Sequence, residues 1–115
     1  MTRRRVVVTG LGIVSPVGSS VALAWDNILK GRSGIRPITG YDASTFTTRF
    51  AGTVSDDFKA EEWMGPKEIR KTDPFIHYGV AAAKQALKDS GIEVSDANRD
   101  RIGILIGSGI GGIGT

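Results

Sequence analysis

The segment Ile102–Thr115 reads IGILIGSGIGGIGT and joins an apolar run, Ile102–Ile106, to a glycine-rich loop. Glycines at positions 107, 109 and 112 match the spacing G-x-G-x-x-G. Three hypotheses fit this pattern: a cradle for phosphate, a tight turn without a ligand, and a loop that lines a pocket. A dinucleotide site also needs a following helix and an acidic residue about 20 positions later. Neither occurs before Thr115, so nucleotide binding is the weakest of the three.

A second apolar run opens the chain, where Val6, Val7 and Val8 stand side by side. Apolar residues that do not alternate with polar ones are typical of strands covered on both faces. We therefore predict strands at Arg3–Val14 and Ile102–Ile106. Two such strands leave edges and faces that need partners. The sequence thus predicts an α/β chain that forms an incomplete part of a larger fold.

The region between the strands begins with a predicted helix. Ser19 or Ser20 is a suitable N-cap for a helix that runs to about Lys30. An irregular excursion follows at about residues 32–72, and one short strand is expected in it at Phe50–Val54.

A longer helix has the clearest boundaries in the sequence. Asp73 is its predicted N-cap, Pro74 its first residue, and Gly91 follows its last turn. One of its faces is a stripe of small residues that would let another element approach closely. The stripe consists of Gly79, Ala82 and Ala86.

Composition excludes several kinds of site. The 115 residues include no cysteine and one histidine, His77, which excludes a disulfide, a cysteine zinc site and a cysteine nucleophile within this chain. No carboxylates cluster at ligand spacing, so we predict no metal site, and we expect no cofactor. His77 follows Asp73 by about one turn and could support that helix cap. No apolar stretch approaches the roughly 18 residues that span a bilayer, and the apolar run after the first arginines is too short for a signal peptide. A cytoplasmic location without membrane association is therefore expected.

A basic cluster lies in the sequence PKEIRK. Lys67, Arg70 and Lys71 are spaced i, i+3 and i+4, so a brief helix over Lys67–Lys71 would present all three on one face. Such a face is either solvated or a docking patch for an acidic partner, and the net charge of +3 suits such a partner without requiring one. Nucleic acid binding is poorly supported because no aromatic residues are interleaved with the basic ones.

Five motifs in order resemble the type II β-ketoacyl-acyl-carrier-protein synthases. They are RRVVVTGLGIVSPVG, AWDNILKGRSGI, RFAGTV, RKTDPFIHYGVAAAKQALKDSG and RIGILIGSGIGGIG. The resemblance implies a thiolase fold, in which mixed sheets lie between helices, and a homodimer. Residues 1–115 would be a partial N-terminal thiolase-like domain, corresponding to the first quarter or so of such an enzyme.

The resemblance also implies a chemistry. An acyl group passes from the thiol of acyl carrier protein to an enzyme cysteine, malonyl-carrier protein loses CO₂, and the resulting carbanion attacks the thioester. The family's cysteine and its two histidines come after the glycine loop, so this chain holds no catalytic residue and should be inactive by itself. His77 matches neither histidine. Two alternatives remain: a nucleotide-binding α/β module, and a non-catalytic subunit of a polyketide synthase that resembles condensing enzymes.

Two local roles are implied by the same resemblance. Ile110 stands where the family has an apolar side chain that gates the acyl-chain pocket. Lys67, Arg70 and Lys71 correspond to the family's docking surface for the acidic carrier protein. Thr72 departs from the family, which often has methionine there, and could mark a local change in packing.

Overall fold

Helices make up most of the regular structure. The computed structural model describes residues 3–113. In chain order the elements are α1 Val21–Leu29, β1 Ile35–Pro37, β2 Phe50–Gly52, α2 Pro66–Ile69 and α3 Pro74–Ser90, with 3₁₀ turns at Ala60–Glu62 and Arg99–Arg101. The chain divides into two units, which are Ile13–Lys59 and, as far as it is described, Met1–Gly12 with Ala60–Thr115.

Helix α1, in the unit Ile13–Lys59, begins and ends as its sequence predicts. The Ser20 hydroxyl accepts a hydrogen bond from the Leu23 amide at 3.3 Å, which satisfies a donor of the first turn. After the C-cap residue Lys30, Gly31 has a φ of 65°. Glycine reaches this left-handed conformation without steric cost, and the helix therefore stops there.

The excursion contains a two-stranded antiparallel sheet. β1 pairs with β2 in the register Ile35 with Gly52, Arg36 with Ala51 and Pro37 with Phe50. The predicted strand at Phe50–Val54 is confirmed in its first part as β2, but its partner was not predicted. A three-residue strand that ends in proline carries too little periodicity to be recognised from sequence.

The carboxylate of Asp57 ties a loop to the start of α1. It accepts hydrogen bonds from the backbone amide of Ser19 at 3.0 Å and from the Ser19 hydroxyl at 3.4 Å. Burial acts to raise the pKa of Asp57, but hydrogen bonds from Ser55 and Ser19 outweigh it and leave that pKa lowered. The ionised Asp57 carboxylate therefore stabilises the folded state. This contribution is fully present above the ordinary pKa of an aspartate and is lost as the pH falls through the lowered pKa.

Helix α3 dominates the other unit and confirms the prediction for the long helix. Its 17 residues begin at Pro74 with Asp73 at the N-cap, and Gly91 ends it in the left-handed conformation with a φ of 65°. The Asp73 side chain makes no capping hydrogen bond. The local signals therefore predict where the helix begins and ends, although the carboxylate does not bond the helix amides.

The small-residue stripe on α3 allows the expected close approach. The segment that carries Gly10 and Gly12 crosses the helix so closely that an added Cβ at either glycine would overlap its backbone, at Ala86 and Ala82 respectively. The Leu11 amide between them donates a hydrogen bond to the Asp89 carboxylate at 2.9 Å. Close packing of backbone on backbone explains why small residues occupy both sides of this crossing.

Neither predicted apolar strand forms a strand in the described residues. Arg3–Val14 and Ile102–Ile106 lie outside every hydrogen-bonded ladder, so the strand predictions are wrong for this chain. Val6 is 94% exposed and Leu105 is 99% exposed. Strands of this apolar kind are stable only when neighbours pair their edges and cover their faces. No strand pairs with either segment among residues 3–113, and most of their apolar side chains stay exposed.

The described chain has very little hydrophobic core. Its buried apolar residues are three alanines, Ala24, Ala43 and Ala81, and no large side chain within residues 3–113 is fully buried. Burial of large apolar side chains is the main favourable term in folding. A core made of alanines supplies little of this free energy against the conformational entropy of the chain.

We therefore expect the 115-residue chain, expressed alone, to be unfolded, aggregated or loosely collapsed. The reason is that many of its valines, isoleucines and leucines stay exposed to water. Two-dimensional amide NMR and thermal unfolding of dilute protein test this expectation. Sharp, dispersed amide signals together with a cooperative transition from a monomer would contradict it.

Candidate functional site

The glycine loop folds back on the first turn of α3. The Gly111 amide donates a hydrogen bond to the Ser108 hydroxyl at 3.0 Å, and Gly111 itself has a φ of 77°. A Cβ added at Gly111 would lie 3.7 Å from the ring of Phe75. A Cβ added at Gly112 would overlap the Asp73 carboxylate. The N-cap residue of α3 therefore packs against the loop.

A mostly apolar groove lies between this loop and α3. Its cavity has a volume of about 410 Å³. Ile106 lies beside Gly79, since a Cβ at that glycine would be in ordinary van der Waals contact with the Ile106 side chain, at 3.6 Å. The lining residues are Phe75, Ile76, Gly79, Val80, Ile106, Gly107 and Ser108. Such a lining suits a hydrocarbon chain better than a charged phosphate.

Ile110 lies near this groove in the chain but does not line it. It follows Ser108, which does line the groove, by two residues, and its own side chain is 78% exposed. The side chain is thus free of packing partners on most of its surface. The role of a gate stays a prediction.

The basic cluster lies on a short helix and the turn after it. Lys67 is in α2, Arg70 is the C-cap and Lys71 follows in the turn. The helix is shorter than the predicted Lys67–Lys71, because it ends at Ile69. All three basic side chains are exposed, and none forms an ion pair with any residue between 3 and 113. Unpaired exposed cations can engage an acidic surface without first breaking an internal contact.

Two contacts hold the start of α2. The Glu68 carboxylate accepts a hydrogen bond from the Gly65 amide at 3.1 Å, which satisfies a backbone donor at the N-terminus of this helix. The Lys84 ammonium, on α3, donates to the carbonyl of Trp63 just before α2. The basic helix is therefore fixed to the long helix on its N-terminal side.

A third contact holds the end of α2, and it involves the single histidine. The Thr72 hydroxyl donates to the Glu68 carbonyl at 2.7 Å, and His77 Nε2 lies 3.1 Å from the same hydroxyl oxygen. The hypothesis that His77 supports the Asp73 cap is therefore wrong, since the ring contacts Thr72. The five-residue separation crosses the boundary between two helices, so sequence spacing along one helix did not indicate it.

Between residues 3 and 113, no three His, Asp or Glu side chains come together as a group that could hold a metal ion. Over the same range, no helix is both long and apolar enough to cross a membrane.

A family model and several curated proteins are similar to this chain. The family model described as the N-terminal domain of β-ketoacyl synthases matches residues 3–115. The 3-oxoacyl-[acyl-carrier-protein] synthase 2 of Vibrio harveyi is 54% identical over 113 residues, which are 98% of this chain and 27% of that protein. The protein of the same name from Coxiella burnetii is 49% identical over the same share of both chains. The chain thus spans about a quarter of the length of these curated relatives.

A solved structure is also similar. The structure entitled the ishigamide ketosynthase/chain length factor superposes with a TM-score of 0.71 and 37% sequence identity. The superposition covers 80% of this chain and 23% of the other. The likeness therefore extends from sequence to the path of the backbone.

Proposed function

The chain belongs to the β-ketoacyl synthase family, as part of its N-terminal domain, and we propose that it is a segment of a 3-oxoacyl-acyl-carrier-protein synthase 2. Its fold is an incomplete α/β part of the thiolase-like ketosynthase fold, as the sequence predicted. The observation that carries the functional proposal is the 54% identity with a synthase of that name across 98% of the chain.

The proposed reaction is a decarboxylative Claisen condensation in fatty-acid elongation. An acyl group moves from the carrier thiol to a cysteine of the enzyme, malonyl-carrier protein releases CO₂, and the carbanion so formed attacks the acyl thioester. The enzyme thiolate then leaves, and the product is a 3-oxoacyl-carrier protein. This chain contains no cysteine, so we propose that it contributes binding surfaces and that the nucleophile lies elsewhere in the whole protein.

A condensation assay on the full-length protein that contains this segment tests the function. The protein is incubated with acyl- and malonyl-carrier protein, and mass spectrometry follows both the 3-oxoacyl product and the covalent acyl-enzyme. Appearance of both species supports the proposal. Absence of product with intact substrates would refute it.

One alternative is supported by the name of the solved relative, which includes a chain length factor. A non-catalytic subunit that resembles condensing enzymes would share the fold but form no acyl-enzyme, so the same mass spectra separate the two functions. A nucleotide-binding module is the other alternative, and it predicts heat of binding when NAD or NADP is titrated in a calorimeter.

The basic cluster is the surface we propose for acyl carrier protein. Lys67, Arg70 and Lys71 are exposed and carry three positive charges within five residues. A surface of this sign raises the rate of encounter with an acidic protein and orients it. The family supports the interpretation that this basic face binds an acidic partner and is not merely solvated.

The apolar groove is the part of the segment that we propose to border the acyl chain. Phe75, Val80 and Ile106 supply hydrocarbon surface there, and burial of acyl methylene groups is favourable by about 0.8 kcal/mol each. Ile110 is proposed as the gate of this pocket in the whole enzyme, where further parts of the protein would surround it.

We expect Ile110→Phe to reduce kcat/KM more for long acyl chains than for short ones. The added bulk would occupy space in a packed tunnel, and overpacking costs about 1–3 kcal/mol, so the loss should reach about tenfold or more for the longest chains. Steady-state kinetics over a series of acyl lengths measure it. Ile113→Phe is the matched control, since Ile113 is an equally exposed isoleucine of the same segment, with 76% of its surface in solvent. Equal losses at all lengths would contradict the gate.

Four further properties are proposed from the sequence and from the family. They are a homodimeric whole protein, a cytoplasmic location, no nucleic acid or membrane partner, and residues 1–115 as one partial domain with an excursion at about 32–72. None of the proposed steps requires a cofactor or a metal. Gel filtration of the whole protein would test the dimer.

A further inference from the structure

One hydroxyl group joins the end of the basic helix to the start of α3. Thr72 follows the last basic residue, Lys71, and its Oγ1 contacts both the Glu68 carbonyl in α2 at 2.7 Å and His77 Nε2 in α3 at 3.1 Å. The Glu68 carbonyl also accepts a hydrogen bond from the Lys71 amide at 3.0 Å. The same hydroxyl therefore contacts both helices at the turn between them.

The direction of the two hydrogen bonds follows from the number of protons. A threonine hydroxyl has a single proton to donate, and the Thr72 proton is used on the Glu68 carbonyl. The contact with His77 is then satisfied only if the ring donates from Nε2 to the hydroxyl oxygen. We therefore assign the tautomer with the proton on Nε2, and each member of the chain His77, Thr72, Glu68 donates to the next.

This chain of hydrogen bonds acts on the basic residues through the backbone. Arg70 and Lys71 lie between Glu68 and Thr72, and neither forms an ion pair with another residue in 3–113. Two contacts connect this region to α3: the Thr72 hydroxyl with His77 after α2, and the Lys84 ammonium with the Trp63 carbonyl before α2.

We propose that Thr72 and His77 are positioning residues that hold the basic segment in the orientation in which it receives acyl carrier protein. This inference rests on the proposed function, because it assumes that the basic segment binds acyl carrier protein. Neither residue contacts substrate in this proposal. Their effect is therefore confined to substrates that are delivered by the carrier protein.

The test compares two forms of one substrate in the full-length synthase. One form is an acyl thioester on carrier protein, and the other is the same acyl group on free pantetheine, which has no protein to dock. Thr72→Val removes the hydroxyl at nearly constant volume, and His77→Leu removes the donor. Thr72→Ser and His77→Gln keep a hydroxyl and an N–H donor. Ser90→Ala is a control that removes a hydroxyl at the opposite end of α3, where it donates to the Leu87 carbonyl and accepts from the Ile92 amide.

We expect Thr72→Val and His77→Leu each to lower kcat/KM for the carrier-protein thioester about three- to tenfold, the range of one net hydrogen bond. The loss should lie in KM, and the pantetheine thioester should change by less than about twofold, since the reacting groups are untouched. The double variant should match Thr72→Val, because that single change already removes the contact with His77. Thr72→Ser, His77→Gln and Ser90→Ala should behave like the unaltered protein.

Several outcomes would overturn the inference. They are parallel losses with both substrates, which would indicate a general structural role, additive losses in the double variant, and unchanged kinetics. If the full-length protein condenses pantetheine substrates and its kinetics do not respond to these substitutions, only the positioning role is refuted. A protein that condenses neither substrate before any substitution defeats the proposed function itself, and the inference with it.

Discussion

We expect Lys67→Glu combined with Arg70→Glu, in the proposed full-length synthase, to lower kcat/KM for acyl carrier protein substrates by about 10- to 100-fold, the scale of electrostatic steering. Both side chains are exposed and lack an ion pair with residues 3–113, so their charges are available to an acidic partner. Reversing these charges would replace attraction by repulsion at the proposed docking surface. The expected loss therefore appears mainly at low ionic strength, where screening is weakest.

Steady-state kinetics at a series of salt concentrations measure this effect. The unaltered protein should lose activity as salt rises, and the variant should show a flatter dependence. Lys59→Glu combined with Lys88→Glu is the matched control, because it makes the same change in net charge at two exposed lysines outside the basic segment. Unchanged kinetics of the patch variant at low salt, or an equal loss in the control, would defeat the docking role.

Gly12→Ala is expected to destabilise the whole protein strongly. A Cβ at Gly12 would overlap the carbonyl oxygen of Ala82 and would lie 2.8 Å from its carbonyl carbon. These are backbone atoms of α3, and a helix backbone cannot rotate away as a side chain does. Overpacking of a close crossing costs about 1–3 kcal/mol and occasionally more, and we expect the upper end of that range here.

Urea unfolding of the full-length protein, followed by tryptophan fluorescence, measures the loss of stability. Gly40→Ala serves as the control, since a Cβ at Gly40 would meet no atom within 4 Å in the described structure. It should stay within about 0.5 kcal/mol of the unaltered protein, as surface substitutions usually do. Equal stability of the two variants would show that the crossing over α3 is looser than described.

The residues of the long helix show how much local sequence can predict. Asp73, Pro74 and Gly91 stand at its boundaries because capping and the left-handed stop depend on the residues at those positions. Its small residues likewise predicted a close neighbour, and the neighbour is the segment with Gly10 and Gly12. The contact that the Asp73 carboxylate makes could not be predicted in the same way. The carboxylate lies against Gly112, which is distant in sequence.

Only part of the candidate site could be predicted from the sequence. The exposed basic residues and the glycine loop could be identified from the sequence, whereas the groove beside α3 required the packing of Ile106 on Gly79. The contact between Thr72 and His77 also required the structure, because it depends on the angle at which the chain turns between two helices.

The sequence by itself determined the ends of α1 and α3 and the apolar character of the segments around Val7 and Leu105. Helix ends depend on contacts within a few residues, so their signals are local. Tertiary structure alone decided that β1 pairs with β2 and that the two apolar segments form no ladder within residues 3–113. A strand exists only through hydrogen bonds to another strand, and no pattern within one segment supplies that partner.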